Sequence, residues 1–600
     1  MLDSLASVLP HDLALGYSVI VLMAVVAGVA CWLTRADRRK WQETAGDGRV
    51  GSGEATLEPK PGDTRRITAS RVALAAILLG STAFLIYAWR VQHPSGLMSV
   101  DDSGFSMLAI LDWRALTQHG LGGLFTAMTT NGANAPLVPL LASPFTAGNA
   151  MTSATVLVQI PFMWLLIISS FSIYRRVTGP QAALIGTVAT AFLPGVLMYS
   201  RLLHFGVPLT AVLTAALAAL LASRGLTSWR WALLFGVLAG LALLTRTIAV
   251  AMVPALLVTA VVLAVRRSPF RVWVPNLAVG VAAAAAVAGP WYLANFSAVW
   301  GYLTANGYDD TSEFYVQTPP WMMRLVQIAG QDVFLPLFAV GIAVVGVSLI
   351  RRVFRHGTMT PVPIAVVAAI AVTVGCYFVA LASSHNGGTA FTLPLAPLLV
   401  ALVLYVANQL GRRQAAVAGA LVLVVVAANV WAAVVPLGHS GVGNVWGVGD
   451  FAIIDGRSAS DAQLESALGD ANAAVSDPSG LGLKLQQANC AIADRASEGP
   501  ILLTRWDALL GGIFYCSQGL HWTPAIMYAT GCPPSDGACV AAVINQYGFP
   551  TVVTGDALAP YPGSNPESVV LPALTDYRMV MEITIGPGVV VHVWARIAGR

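Results

Sequence analysis

Charge is what this sequence has least of. Only 10% of its 600 residues are Asp, Glu, Lys or Arg, while 56% are hydrophobic, and the mean hydropathy is +0.71. A soluble domain carries about 25% charged residues, so the composition excludes an ordinary soluble protein and points to a polytopic membrane chain. A Lys/Arg field interleaved with aromatics is also missing, which argues against nucleic acid as a partner. No Cys-x-x-Cys pair occurs among the six cysteines, which disfavours a zinc site. No inverted internal repeat of the transporter kind is visible. Met1-Leu2-Asp3 carries no positive charge ahead of the first apolar run, so the start reads poorly as a cleaved signal.

What the chain does have is a succession of apolar runs separated by short basic breaks. The run 13–33 is followed by Arg35-Ala36-Asp37-Arg38-Arg39-Lys40 and a polar, Gly-rich linker that reaches Arg65-Arg66 and Arg71. The positive-inside rule places this linker in the cytoplasm. Run 72–89 then leads outward. Further spans are expected at 152–174, 181–199, 207–222, 231–244, 248–265, 272–292 with a break at Pro290, 333–350, 361–382, 391–410 and 415–435. That makes about twelve helices by length and hydropathy. Most inner breaks are basic, and both chain ends fall outside. The short run 231–244 is the element on which this parity depends.

Three regions follow: an N-terminal span and cytoplasmic linker at 1–70, a membrane domain at 71–436 with external loops at 91–150 and 293–332, and a soluble region at 437–600. In the last, 501–504, 551–554 and 589–594 read as strands and 540–547 as a helix. Residues 577–585 and 589–594 flank Gly586-Pro587-Gly588 as a hairpin, and 461–475 has helical spacing. A small extracytoplasmic α/β domain is expected. Cys490, Cys516, Cys532 and Cys539 all fall there, where oxidation is allowed. Cys532–Cys539 is the preferred bridge, leaving Cys490 with Cys516. Cys31 and Cys376 lie in apolar runs as fillers.

The chemistry-bearing residues gather at the outer face. Asp101-Asp102 stands just past run 72–89, ahead of an amphipathic segment at 103–119. A carboxylate there caps a helix or, at the border of membrane and water, accepts a proton from a hydroxyl. Arg201 and Arg246 sit at outer helix ends, against the positive-inside trend. Either each snorkels or pairs with a nearby acid, or they hold a bound anion. His204, His385 and Arg324 share that face. The loop 302–321 carries Tyr308, Asp309, Asp310, Glu313, Phe314, Tyr315 and Trp321; a membrane aromatic belt and a lid over a site explain it equally well.

In order along the chain, these motifs resemble the GT-C superfamily of integral-membrane glycosyltransferases, of the protein O-mannosyltransferase and lipid A aminoarabinose transferase type. The likeness rests on Asp101-Asp102 early in the first external loop, Asn134-Ala135-Pro136-Leu137 and Ser200-Arg201. It continues in Leu244-Thr245-Arg246, Pro290-Trp291-Tyr292-Leu293-Ala294-Asn295 and Leu393-Pro394-Leu395-Ala396-Pro397. The acidic pair with an outer C-terminal domain is similar to actinobacterial cell-wall arabinofuranosyltransferases. Two departures stand out: His204-Phe205-Gly206 where the family often has Asp, and Ala390-Phe391 where it often has Arg-Tyr.

The resemblance implies a polyprenyl-phosphate sugar donor, an extracytoplasmic glycan, lipid or protein acceptor, and a multi-pass location in the plasma (inner) membrane. Asp101 is then the general base with Asp102 beside it, Arg201 and Arg246 hold the donor phosphate, and the transfer inverts. His204, Tyr308, Asp309, Asp310, Arg324 and His385 are candidate substrate contacts. No cofactor is required, though a divalent cation is compatible with the acidic pair. A transporter or flippase of a lipid-linked or small solute is the alternative, using the same charges as a permeation path. A third reading is a non-catalytic scaffold.

Overall fold

The computed structural model describes residues 61–92, 100–130, 132–149, 152–308, 317–333, 339–347, 364–438 apart from 389 and 409–411, 447–448, 451–452, 487, 490–504, 527–528, 532, 535–555, 566–586 and 589–597. The expected elements at 13–33 and 461–475, with Asp309, Asp310, Glu313, Phe314, Tyr315, Cys31 and Cys516, lie outside these residues.

In the membrane part the helices are α1 (Pro61–Gln92), α2 (Val100–Thr130), α3 (Leu137–Ala142), α4 (Gln159–Val177), α5 (Pro180–Ala191), α6 (Pro194–Ser200) and α7 (Gly206–Ala222). They continue as α8 (Trp229–Thr245), α9 (Ala249–Arg267), α10 (Phe270–Tyr308), α11 (Pro320–Val326), α12 (Ile364–Ala382), α13 (Ala396–Ala407) and α14 (Arg412–Gly438). A further helical stretch covers 339–347. Helix α7 is apolar all round and buried along its whole length, which makes it the axis of the bundle; α4 and α8 pack against it.

Without a hydrophobic drive between helices in lipid, small residues and internal hydrogen bonds hold such a bundle together. Helix α8 presents Ala232, Gly236 and Gly240 to α10. A Cβ on Gly236 would stand 2.0 Å from the Gly280 carbonyl oxygen, so only glycine permits this approach. The Thr259 and Thr373 hydroxyls meet at 2.9 Å between α9 and α12. The Tyr174 hydroxyl donates to the Pro397 carbonyl at 2.9 Å, tying α4 to α13.

Several expectations change. The span expected at 181–199 is two helices bent by 53°, because Leu193 takes the extended backbone that Pro194 imposes on its predecessor. Helix α10 runs through Pro290 and leaves helical geometry only at Asn295 (φ −112°, ψ 16°), where the Asn295 side chain bonds the Trp291 carbonyl. Helix α2 starts at Val100 and goes beyond His119; Gly120 (φ 65°) kinks it there and it resumes to Thr130. Among the described residues five helices are long and apolar enough to cross a membrane, six with the bent pair. The count of twelve is therefore not reached by length and composition alone. Helix α8, with 17 residues, is among the shorter apolar helices.

Beyond α14 come β1 (Gly447–Val448), β2 (Phe451–Ala452), β3 (Ile501–Leu503), β4 (Met527–Tyr528), α15 (Gly537–Tyr547), β5 (Thr551–Thr554), α16 (Glu567–Val570), β6 (Tyr577–Gly586) and β7 (Val589–Arg596). Five of the strands make one sheet in the order β4-β3-β5-β7-β6. β3 is parallel to β4 and β5, and β7 is antiparallel to β5 and β6. The expected strands, hairpin and helix are all present, so a small α/β unit follows the helices. Cys532 and Cys539 are bridged, Cys490 is also disulfide-bonded, and Cys376 is free.

Candidate functional site

Helix α2 opens at Val100, so Asp101 and Asp102 occupy its first turn, where the helix dipole favours negative charge. Further along, the face of α2 that is buried carries Phe105, Ser106, Leu108, Ala109 and Asp112, at the 3.6-residue period of an amphipathic helix. The Ser106 hydroxyl lies 3.3 Å from that of Thr155. One turn after Thr155, Gln159 opens α4, and its Nε2 donates to the carbonyls of Leu202 and His204, both at 2.8 Å. These bonds tie α2 to the segment ahead of α4, and the start of α4 to the turn after α6.

That turn holds the first arginine. Arg201 is buried and its Nε donates to the Leu197 carbonyl at 3.1 Å. His204 is buried too, stacked on Tyr199 at 4.7 Å and against Phe205 at 4.1 Å. Its Nδ1 accepts the Gly206 N–H at 3.1 Å, which satisfies one orphan donor at the start of α7. His204 therefore holds the first N–H of α7 from one residue before its cap, Phe205.

Arg246 follows α8 with extended backbone (φ −159°, ψ 142°). Its guanidinium lies 4.6 Å from the centre of the Phe205 ring and 5.7 Å from that of Tyr302, and Nη2 donates to the Tyr302 hydroxyl at 2.9 Å. Among the described residues no carboxylate pairs with it. A half-buried guanidinium oriented by two rings, with donors to spare, suits a bound anion. Phe205 stacks on Phe391 at 5.7 Å, just ahead of Thr392-Leu393-Pro394.

Helix α10 and the end of α2 meet at the C-terminal end of α8. The Tyr292 hydroxyl donates to the Leu243 carbonyl at 3.1 Å and Trp291 Nε1 to the Met128 carbonyl at 3.0 Å. Trp291 also packs with Ala135 and Leu244. Segments that are far apart in sequence, Asn134–Leu137, Ser200–Gly206, Leu244–Arg246, Pro290–Asn295 and Ala390–Pro394, thus converge on one region.

The other expected residues are spread around that region. Arg324 is buried, and donates through Nη1 to Gln327 Oε1 at 2.8 Å and through Nη2 to the Asn386 carbonyl at 2.7 Å. Burial draws its guanidinium down to about 10. These bonds brace the 384–388 loop, which is tied in turn to α10 by Ser384 on the Gly307 carbonyl and Asn386 on the Asn306 carbonyl. His385 is half-buried in that loop, and Tyr308 is exposed at the end of α10.

Two carboxylates were not anticipated. Asp112 is fully buried with neither oxygen hydrogen-bonded, and burial pushes its carboxyl up to about 7. Asp112 continues the apolar stripe through Phe105, Leu108 and Ala109. Asp332, read only as the last residue of the second external loop, is buried in a π-helical turn at 327–332. One oxygen accepts the Thr392 hydroxyl and the other has no partner; burial pushes it up to about 7, against the opposing effect of that hydrogen bond. Among the described residues no three His, Cys, Asp or Glu side chains cluster to hold a metal.

Comparison with known proteins bears on the fold. Residues 133–292 match the dolichyl-phosphate-mannose-protein mannosyltransferase family. No curated protein matches the chain in sequence. Among solved structures, ArnT from Cupriavidus metallidurans bound to undecaprenyl phosphate is 14% identical, covering 89% of this chain and 99% of its own, with a TM-score of 0.53. The Archaeoglobus fulgidus oligosaccharyltransferase is 13% identical over 84% of this chain and 72% of its own, with a TM-score of 0.50. The mycobacterial arabinofuranosyltransferase AftD is 15% identical over 88% of this chain but 40% of its own, also with a TM-score of 0.50. At these identities the likeness is one of fold, and the fold is GT-C.

Proposed function

We propose that this GT-C chain is a glycosyltransferase that moves a sugar from a polyprenyl-phosphate donor to a hydroxyl of an extracytoplasmic glycan, lipid or protein. The observation that carries the reading is Arg246, a guanidinium without a carboxylate partner among the described residues, held by Phe205 and Tyr302 beside the cluster of Ala135, Trp291 and Val299.

In this reading Arg201 and Arg246 bind the donor phosphate and stabilise the negative charge that develops as the sugar–phosphate bond breaks. Asp101 takes the proton of the acceptor hydroxyl as its oxygen attacks the anomeric carbon, and Asp102 orients it or caps α2. One base and a good leaving group suit inversion; a retaining enzyme would carry a carboxylate nucleophile beside the anomeric carbon. Arg324 and Gln327 hold the 384–388 loop in place. The ArnT relative carries undecaprenyl phosphate, which supports the donor class. The test incubates purified protein with a panel of polyprenyl-phosphate sugars and acceptors and reads the anomeric configuration of the product by NMR. Product of inverted configuration supports the proposal. Solute uptake into proteoliposomes without any transfer would favour a transporter.

A further inference from the structure

Between α5, α13, α14 and the 339–347 helix lies a cavity of about 530 Å³. Its wall is Ala, Gly, Val, Ile and Leu throughout, with Asn408 the one polar residue. Ile185, Leu404 and Val422 line it and are only half-buried, so it stands open between the helices. Ala182, Asn408 and Ala415 mark one end; Leu193 and Val333 mark the other. The helical rise from Ala182 to Leu193 is roughly 16 Å, about half the hydrocarbon thickness of a bilayer. The space therefore matches one hydrocarbon chain in one leaflet. Helix α6 separates its far end from Arg201.

The end at Ala182 and Asn408 is rich in arginine. Arg175 and Arg176 lie in the last turn of α4, just before Pro180 opens α5. Arg412 and Arg413 open α14, just before Ala415. Arg176 turns back onto Ser172, and Arg175 has no carboxylate partner among the described residues. The sequence around this end is basic on balance: residues 113–308 contain ten arginines and no Asp or Glu, residues 333–449 contain five arginines and no Asp or Glu, and the linker at 35–66 sets eight basic residues against six acids. An excess of arginine in the sequence at one end of an apolar slot favours an anionic occupant over a neutral one, and the N-terminal dipole of α5 adds to the pull.

We infer that the cavity takes one acyl chain of an anionic glycerophospholipid, with the lipid phosphate at the end marked by Arg175, Arg412 and Arg413. The positive-inside rule assigns that end to the cytoplasmic leaflet, opposite to Arg201 and Arg246, so this site is separate from glycosyl transfer and does not depend on it. A zwitterionic lipid offers the same chain without the net charge.

The test reconstitutes the full chain in phosphatidylcholine nanodiscs doped with phosphatidylglycerol of the same acyl chains. It then extracts the protein into detergent and identifies bound lipid by native mass spectrometry. Phosphatidylglycerol is expected to be retained about tenfold or more over phosphatidylcholine. Leu404→Trp fills the slot and removes the adduct. The double variant Arg412→Gln/Arg413→Gln leaves the slot intact and lowers phosphatidylglycerol retention about tenfold at an unchanged melting temperature; it decides the matter if Leu404→Trp fails to fold. Equal retention of the two lipids, an adduct indifferent to the arginine pair, or displacement of phosphatidylglycerol by added polyprenyl phosphate would overturn the inference.

Discussion

The guanidinium of Arg246 lies 4.6 Å from the centre of the Phe205 ring, and this contact joins two segments 41 residues apart. It holds a cation at the C-terminal end of α8 without a carboxylate partner among the described residues. Arg246→Ala is expected to lower kcat/KM for the lipid-linked donor about 10²-fold. Arg246→Lys restores only part of this, because lysine keeps the charge and loses the planar fork. Tyr302→Phe, which removes the phenol that accepts Arg246 Nη2, costs about tenfold or less. Steady-state kinetics against donor concentration check all three, and equal activity of Arg246→Ala and wild type would remove Arg246 from the site.

Asp112 gives a pH signature. Its carboxyl has a folded pKa of about 7 against about 4 in an unfolded chain. Between those values the folded state holds a proton that the unfolded state has released, so stability falls as pH rises from about 4 to about 7. Asp112→Asn is expected to abolish this loss and to stabilise the protein at pH 8 by up to roughly 4 kcal/mol, with little effect near pH 4. Melting in detergent at pH 5 and pH 8 reads the difference; an Asn variant as pH-sensitive as wild type, with no gain at pH 8, contradicts it. Asp332 titrates in the same direction, so the Asn variant keeps part of the wild-type slope.

Two glycines separate close packing from helix propensity. Gly236→Val places a Cβ against the Gly280 backbone and should part α8 from α10, costing about 3 kcal/mol or more and most of the folded yield. Gly289→Ala, on α10 with open space around it, is expected to be neutral or to stabilise by up to about 1 kcal/mol. Fluorescence-detected size-exclusion chromatography of the two variants reads the contrast.

Much of the fold was legible because apolar length and the terminal sheet's alternation are local properties. The kink of α2 at Gly120 falls one residue past the expected helix end at His119, and the strands at β3, β5 and β7 lie where alternation placed them. The break in the α5–α6 pair and the run of α10 through Pro290 were less visible. A proline removes one backbone donor wherever it stands, but packing against neighbours decides whether the helix bends there. In the site, each motif could be seen singly, whereas their convergence depends on contacts such as Trp291 on Met128 and Phe205 on Phe391, which join distant segments. Asp112 was passed over because a carboxylate inside an apolar stripe carries little local signal; its isolation appears only once α2 is packed.

Arg324 separates bracing from substrate contact. Arg324→Met keeps the volume of the side chain but loses the bonds to Gln327 and to the Asn386 carbonyl. The expected result is a lower melting temperature and faster hydrogen exchange across 384–388, with the donor KM changing less than in Arg246→Ala. A variant with unchanged exchange and a donor KM raised as far as in Arg246→Ala would make Arg324 a direct phosphate contact instead.

The central claim is that the acidic end of α2 supplies the base for transfer at this site. The most direct measurement compares Asp101→Asn with wild type in single-turnover transfer from a polyprenyl-phosphate sugar, alongside donor binding to the same preparations. The account predicts donor binding within about twofold of wild type and a transfer rate reduced by about 10²–10⁴-fold. Transfer at the wild-type rate by Asp101→Asn would contradict it.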